Sequence, residues 1–174
     1  GTSSDSIVFK TSRGTPVVGD WHNIQVLGSS SENTKVSYCR FSGYNDALYL
    51  NLSSSSFGDG TSSQNDLDSV IVEHSVFFSS GSAAMLTGNN GVSGKQFTFQ
   101  NNIVESQNIF SSSQWDGKFY LYSVGTDIKD NVFKPSPTSY NNPFKSIYID
   151  SPFRWNAYGM DTLSLNISNN IIYC

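Results

Sequence analysis

Residues Phe99-Gln100-Asn101-Asn102-Ile103-Val104 are one copy of a six-residue pattern that decides the fold of this chain. In every copy the first and sixth positions are apolar, and the fourth is Asn or a small residue. The other four copies occupy residues 36–41, 72–77, 128–133 and 167–172. A fixed motif separated by insertions of variable length is typical of a solenoid, in which each repeat is one coil and the insertions bulge outward as loops.

An alternating pattern leads into each copy. The residue two positions before each copy is apolar or Thr: Thr34, Val70, Phe97, Thr126 and Leu165. This period-2 alternation predicts strands with one buried face. The columns between the apolar positions are mostly polar: Lys35, Ile71, Thr98, Asp127 and Asn166, then Ser37, Glu73, Gln100, Lys129 and Ser168. Equivalent columns that stack from copy to copy predict a parallel sheet with about 4.8 Å between neighbouring strands.

The fourth position of the pattern holds the most polar of the inward residues. Its members are Cys39, Ser75, Asn102, Asn131 and Asn170. Asn tolerates a left-handed backbone, and its amide can bond to its equivalent one coil away, so we expect this position to form the bend between two sheets. A second strand signal follows the bends at residues 47–52, 83–86, 109–110 and 146–149, and no segment shows a sustained helical stripe. The pattern therefore predicts an all-β fold.

This column of asparagines resembles the asparagine ladder of right-handed parallel β-helices, the fold of pectate lyases and of many phage and bacterial polysaccharide-binding proteins. We therefore expect residues 1–174 to form one right-handed parallel β-helix domain of about six coils, with residues 7–9 and 24–27 in a less regular first coil. The last copy stops inside a coil, and an open solenoid end exposes apolar side chains that natural proteins cover. We therefore expect this domain to be part of a longer secreted protein.

Composition restricts the class of partner. Charged residues make up 14% of the chain and the formal net charge is −4, whereas binding to nucleic acid or to an anionic membrane needs a basic face. Neither partner is therefore expected. No apolar run is long enough to span a membrane, and an extracellular or cell-surface location is expected, with a covalently attached catalytic domain as the natural companion of a small module.

Catalytic residues are sparse on the predicted outward strand columns. A β-helix lyase needs a basic residue that removes a proton, and a glycosidase needs two carboxylates that converge on the scissile bond. Only Asp127 and Lys129 form a same-face pair of an acid and a base, with Glu73 two coils away and Glu105 beyond the bend. We expect a non-catalytic domain, with a polysaccharide lyase, a hydrolase-like fragment and a structural or adhesin segment as the alternatives.

The sequence gives little indication of a metal site. The chain has two histidines, His22 and His74, and no cysteine cluster, so no zinc site is expected. Asp59, Asp66 and Asp68 bracket one loop whose carboxylates offer oxygen ligands for Ca²⁺, but their spacing matches no established calcium loop and turn chemistry explains them as well. No cofactor is expected.

The strongest functional signal is aromatic. Trp and Tyr stack on the apolar face of a sugar ring, while neighbouring polar side chains bond its rim of hydroxyls. The predicted stacking residues are Trp155, Trp115, Tyr158 and Tyr140, and their predicted polar partners are Arg154, Asn156, Asp116 and Lys118. The alternative is that these aromatic residues fold back as lids over apolar columns of the helix.

The whole chain resembles the right-handed β-helix repeats of secreted proteins from gut Bacteroidetes. In size, loop aromatics and the motifs at residues 101–104 and 169–172, it is similar to the family 89 carbohydrate-binding modules. That resemblance implies a module that accompanies xylanases and binds xylan in the plant cell wall. The residues themselves indicate only a neutral or weakly polar glycan, because a highly charged ligand such as pectate needs a basic cleft.

Overall fold

The computed structural model describes residues 1–17, 19–27, 33–51, 67–78, 83–87, 92–106, 108–112, 119–135, 149–150 and 164–173. These residues form sixteen strands and no helix. The strands lie in three sheets, and every pair of neighbouring strands within these sheets is parallel. The predictions of an all-β chain and of parallel pairing between neighbouring copies are therefore confirmed for the described residues.

Each sheet takes every third strand of the chain over most of its width. Sheet 1 contains, in spatial order, β1 (Ile7–Phe9), β4 (Cys39–Ser42), β7 (Val76–Phe78), β10 (Ile103–Ser106), β13 (Val132–Pro135) and β16 (Ile171–Ile172). Sheet 2 contains β2 (Ile24–Leu27), β5 (Asp46–Asn51), β8 (Ala83–Thr87) and β11 (Asn108–Ser112). Sheet 3 contains β3 (Thr34–Ser37), β6 (Leu67–Glu73), β9 (Val92–Gln100) and β12 (Phe119–Lys129). The first residues of β12 also pair with β14 (Ile149–Asp150), and its last residues pair with β15 (Ser164–Ser168).

The register of sheet 3 brings equivalent positions of the motif together. The first motif residue is paired through the sheet in the order Val36, Val72, Phe99, Ile128 and Ile167. A one-residue slip would turn every apolar side chain of a strand to the opposite face, so a buried column holds the register in place. The sequence alignment of the copies is therefore also their spatial alignment.

The core is built from the inward columns of the motif. Val72, Phe99 and Ile128 are buried in sheet 3, and Phe77 and Phe133 are buried in sheet 1. The rings of sheet 1 stack from copy to copy, with centroids 5.0 Å apart for Phe9 and Phe41 and 4.9 Å apart for Phe41 and Phe77. Each fully buried aromatic or aliphatic side chain contributes about 1.5–3 kcal/mol through its removal from water, so these columns supply the main driving force for stacking.

The left-handed bend lies at the third position of the motif, and our expectation that the fourth position forms it was wrong. The residues with positive φ are Tyr38, His74, Asn101, Asp130 and Asn169, at φ between 50° and 57°. The physical reason is the direction of the side chains. The fourth residue must point inward so that its side chain bonds the preceding copy, and the sharp change of chain direction therefore falls on the residue before it.

The fourth position forms the predicted inward ladder. The Oδ1 atoms of Asn102, Asn131 and Asn170 accept the backbone N–H of the ladder residue in the preceding copy, at 3.0, 2.9 and 3.1 Å. Their Nδ2 atoms donate to backbone carbonyls of that same preceding copy at 2.8–3.0 Å. Ser75 Oγ continues the ladder by accepting the N–H of Cys39 at 3.1 Å. Cys39 ends it as a buried free thiol, whose pKa is raised by that burial.

Candidate functional site

The predicted sugar-contacting residues lie outside the described part of the chain. They are Trp155, Trp115, Tyr158, Tyr140, Arg154, Asn156, Asp116 and Lys118. Their assignment to ligand binding stays a prediction. The described strands β11 to β15 border the insertions that carry them. The insertion with Trp115 follows β11 of sheet 2 and precedes β12 of sheet 3, whereas the insertion with Tyr140 follows β13 of sheet 1 and the one with Trp155 lies between β14 and β15.

The described residues place a mostly polar surface on the outward side of sheet 3, interrupted by Ile71 between Lys35 and the largely buried Thr98. We call this surface the polar face, and it consists of Lys35, Ser37, Ser69, Glu73, Gln96, Thr98, Gln100, Asp127, Lys129, Asn166 and Ser168. These side chains occupy alternate positions of β3, β6, β9, β12 and β15, opposite to the buried columns. The polar face therefore runs across five strands, perpendicular to their direction.

Glu73 is the centre of the first polar cluster. Its Oε1 accepts from Lys35 Nζ at 2.8 Å and from Ser37 Oγ at 3.3 Å, and its Oε2 accepts from Gln100 Nε2 at 3.0 Å. The hydrogen bond from Lys35, followed by that from Gln100, holds the pKa of Glu73 below its usual value. Both carboxylate oxygens are engaged and the group is ionised at neutral pH. Glu73 is therefore unsuited to act as a general acid.

Asp127 is the centre of the second cluster. Its Oδ2 accepts from Gln96 Nε2 at 3.1 Å, and its Oδ1 accepts from Asn166 Nδ2 at 3.0 Å. Gln96 Nε2 also lies 3.3 Å from Thr98 Oγ1. The carboxylate thus ties three neighbouring strands together through side-chain amides, which orient it across the sheet.

Gly125 makes room for this second cluster. A Cβ atom at this position would overlap the Oε1 atom of Gln96, the residue that faces Gly125 on β9. The side chain of Gln96 therefore occupies the space that any residue larger than glycine at position 125 would need. Sequence analysis missed Gln96 and Gly125. The signal that could have found them is the period-2 alternation, because each lies two positions before an outward residue, Thr98 or Asp127.

Glu73 and Asp127 belong to separate polar clusters of sheet 3, each held by its own side-chain partners. Glu73 and Asp127 are two strands apart and two positions apart along the strand, which separates their Cα atoms by about 12 Å. Glycosidases need carboxyl groups about 5–5.5 Å apart for retention or about 6.5–9.5 Å apart for inversion. Glu105 lies in β10 of sheet 1, on a different sheet.

Two other predicted features are partly described. Asp59 and Asp66 lie outside the described residues, and Asp68 lies in β6, where its side chain is not described. Within the described ranges, no group of three His, Cys, Asp or Glu residues is placed to hold a metal ion. The ring of His74 stacks on Tyr38 with centroids 4.9 Å apart and planes within 6°, which gives this exposed histidine a packing role at the bend.

An apolar stripe lies outward on sheet 1, at the fifth position of the motif. Ile103 and Ile171 are exposed, whereas Val76 and Val132 are half-buried. The lid hypothesis places aromatic residues of the insertions over this stripe, and those residues lie outside the described part of the chain. The hypothesis therefore stays a prediction, beside that of sugar stacking.

Comparison with known proteins adds no assignment. The chain has no significant match among protein-family models, curated proteins or solved structures. In the part of the chain that the structure describes, there is no helix with the length and hydropathy needed to cross a membrane.

Proposed function

We propose that this chain is a non-catalytic carbohydrate-binding module that holds a plant cell-wall polysaccharide, with xylan as its ligand. The observation that carries this proposal is the polar face of sheet 3, where amides, hydroxyls and hydrogen-bonded carboxylates lie on five neighbouring parallel strands at positions in register. Such an arrangement of donors and acceptors is suited to the regularly repeating hydroxyls of a linear glycan.

The proposal includes a right-handed parallel β-helix of about six coils. Three sheets that each take one strand from nearly every copy, joined by an inward amide ladder, support closure of the copies into coils. Right-handed crossovers between parallel strands of one sheet are favoured by the twist of the strands, which supports the right-handed form.

The spacing of the strands supports a ligand that lies along the helix axis. Neighbouring strands are about 4.8 Å apart, and a pyranose ring linked through equatorial oxygens advances by a similar distance per residue. Each sugar residue then meets one coil, and successive residues meet side chains at equivalent positions, such as Glu73, Gln100 and Lys129. The aromatic insertions around Trp115 and Trp155 would supply stacking on the apolar face of the rings.

The domain context follows from the same function. An open, non-catalytic binding surface concentrates an attached enzyme on an insoluble substrate, so a covalently linked catalytic domain in a secreted or cell-surface protein is the expected partner. Family 89 carbohydrate-binding modules are the group that this chain resembles in size and repeat, and their ligand is the basis for choosing xylan among cell-wall glycans.

The test is affinity electrophoresis of the domain against a panel of plant polysaccharides, with product analysis of the same mixtures. The proposal expects retarded migration on xylan, without new reducing ends and without unsaturated products that absorb in the ultraviolet. Release of either product would establish the lyase or hydrolase alternative, and Asp127, Lys129 and Glu73 would be the first residues to replace. Migration unaffected by every glycan would support a structural or adhesin segment instead.

A further inference from the structure

We infer that Lys129 forms a subsite for a carboxylate carried by the glycan, as on a uronic acid substituent. This inference rests on the proposed function and names the chemical class of ligand within it. A backbone of neutral sugars would lie along the polar face, and an acidic branch would place its carboxylate at the end of β12.

The position of Lys129 is set by its strand. It is the last residue of β12, its side chain points outward, and it is half-buried between Gln100 on β9 and Ser168 on β15. The sequence before it alternates with the buried Ile128, so the outward direction is imposed by the core. A ligand on the polar face therefore meets this ammonium group directly.

The other charges of the polar face are already engaged. Lys35 is paired with Glu73, whose remaining oxygen accepts from Gln100, and Asp127 accepts from two side-chain amides. Asp127 lies two residues before Lys129 on the same strand and face, yet no ion pair joins them in the described structure. Within the described ranges, Lys129 is thus the cation of this face that has neither a salt bridge nor a hydrogen bond.

The reason to expect an anion is that the ammonium group of Lys129 has no salt bridge or hydrogen bond within the described ranges. An ammonium group attracts a carboxylate through its charge as well as through a hydrogen bond, so a carboxylate is favoured over a neutral hydroxyl at this position. Lys offers three donors and no acceptor, so it matches a carboxylate oxygen and makes no use of a hydroxyl proton. The neighbouring Gln100 and Ser168 can complete the contact with the oxygens of the same sugar.

The experiment compares two polymers that differ only at the carboxyl group. Glucuronoxylan and its carboxyl-reduced form, in which each acid becomes a primary alcohol, are titrated into the wild-type domain by calorimetry at low and high salt. An exposed or partly exposed ion pair contributes about 0.2–1 kcal/mol, which corresponds to an affinity roughly 1.4- to 5-fold higher for the acidic polymer. High salt should bring the two affinities together, because it screens only the charged contact.

Lys129→Met tests the residue, and Lys134→Met is the matched control. Lys134 is an exposed lysine on β13 of sheet 1, 5.9 Å from the ring centroid of Tyr173, so its loss changes the net charge equally. We expect Lys129→Met to bind both polymers as the wild type binds the reduced one, and Lys134→Met to behave as wild type. Thermal unfolding of both variants verifies that each is folded.

Four outcomes overturn the inference. Equal wild-type affinity for the two polymers, or equal weakening by both lysine substitutions, removes the subsite while xylan binding itself stands. Weakening of Lys129→Met on the reduced polymer assigns the lysine to neutral hydroxyls instead. Absence of wild-type binding to either polymer overturns the proposed function, and the subsite with it.

Discussion

Replacement of Asn131 by Leu tests the ladder at its most buried rung. The side chain of Asn131 is fully buried, accepts the N–H of Asn102 at 2.9 Å, and donates to the carbonyl of Phe99 at 2.9 Å. Leu cannot form either bond, so a buried donor and a buried acceptor of the preceding copy lose this partner. Leaving buried polar groups without a partner costs about 1–3 kcal/mol, and we expect Asn131→Leu to lower the free energy of unfolding by that amount.

Urea denaturation, monitored by far-ultraviolet circular dichroism, measures this loss as a shift in the midpoint at constant slope. Asn166→Leu makes the same chemical change on the exposed surface of β15, where the amide of Asn166 bonds Asp127 and water can replace it. A surface change of this kind is expected to alter stability by less than about 0.5 kcal/mol. If the two variants lose the same free energy, hydrogen bonding in the ladder is not what stabilises the stacked copies.

Three further predictions concern ligand binding and the residues of sheet 3. Trp155→Ala and Trp115→Ala should each weaken binding to xylo-oligosaccharides in calorimetry by about 1–2 kcal/mol, and full affinity in both folded variants would make these residues lids. Folding lowers the pKa of Glu73, so this carboxylate should stabilise the folded state above its unfolded pKa of about 4.3 and lose that effect as the pH falls through its folded pKa. The midpoint of urea denaturation should therefore vary less between pH 6 and pH 2 in Glu73→Gln than in the wild type. The same pH dependence in both proteins would refute this prediction. Gly125→Ala should displace Gln96 and weaken xylan binding in affinity electrophoresis, whereas unchanged migration would show that Gln96 makes no contact with the glycan.

Much of the described fold follows from the sequence because the repeat is local and periodic. The alternation around Phe99 and Ile128 predicts which face of each strand is buried, and the structure pairs these residues in the predicted register. The asparagines at 102, 131 and 170 predict the ladder, since a buried amide must find partners and the equivalent residue one copy away is the nearest. These inferences need only the period of the chain and the chemistry of its side chains.

The position of the bend within the motif could be assigned only from the tertiary structure. Sequence reasoning assigned the left-handed conformation to the fourth motif residue because Asn is common there, but Asn also serves as an inward amide. Tyr38 adopts positive φ at the third position although tyrosine is not a usual choice for it. Only the folded chain shows that inward direction and sharp turn fall on successive residues.

The polar face likewise depends on tertiary structure. The sequence by itself determined that Glu73, Gln100, Asp127 and Lys129 point outward, because each alternates with a buried residue. It did not determine that Glu73 is bonded on both oxygens while Lys129 has no partner among the described residues. Contacts between long side chains on neighbouring strands depend on rotamers and on the space left by a residue such as Gly125, and these become defined only when the strands are packed side by side.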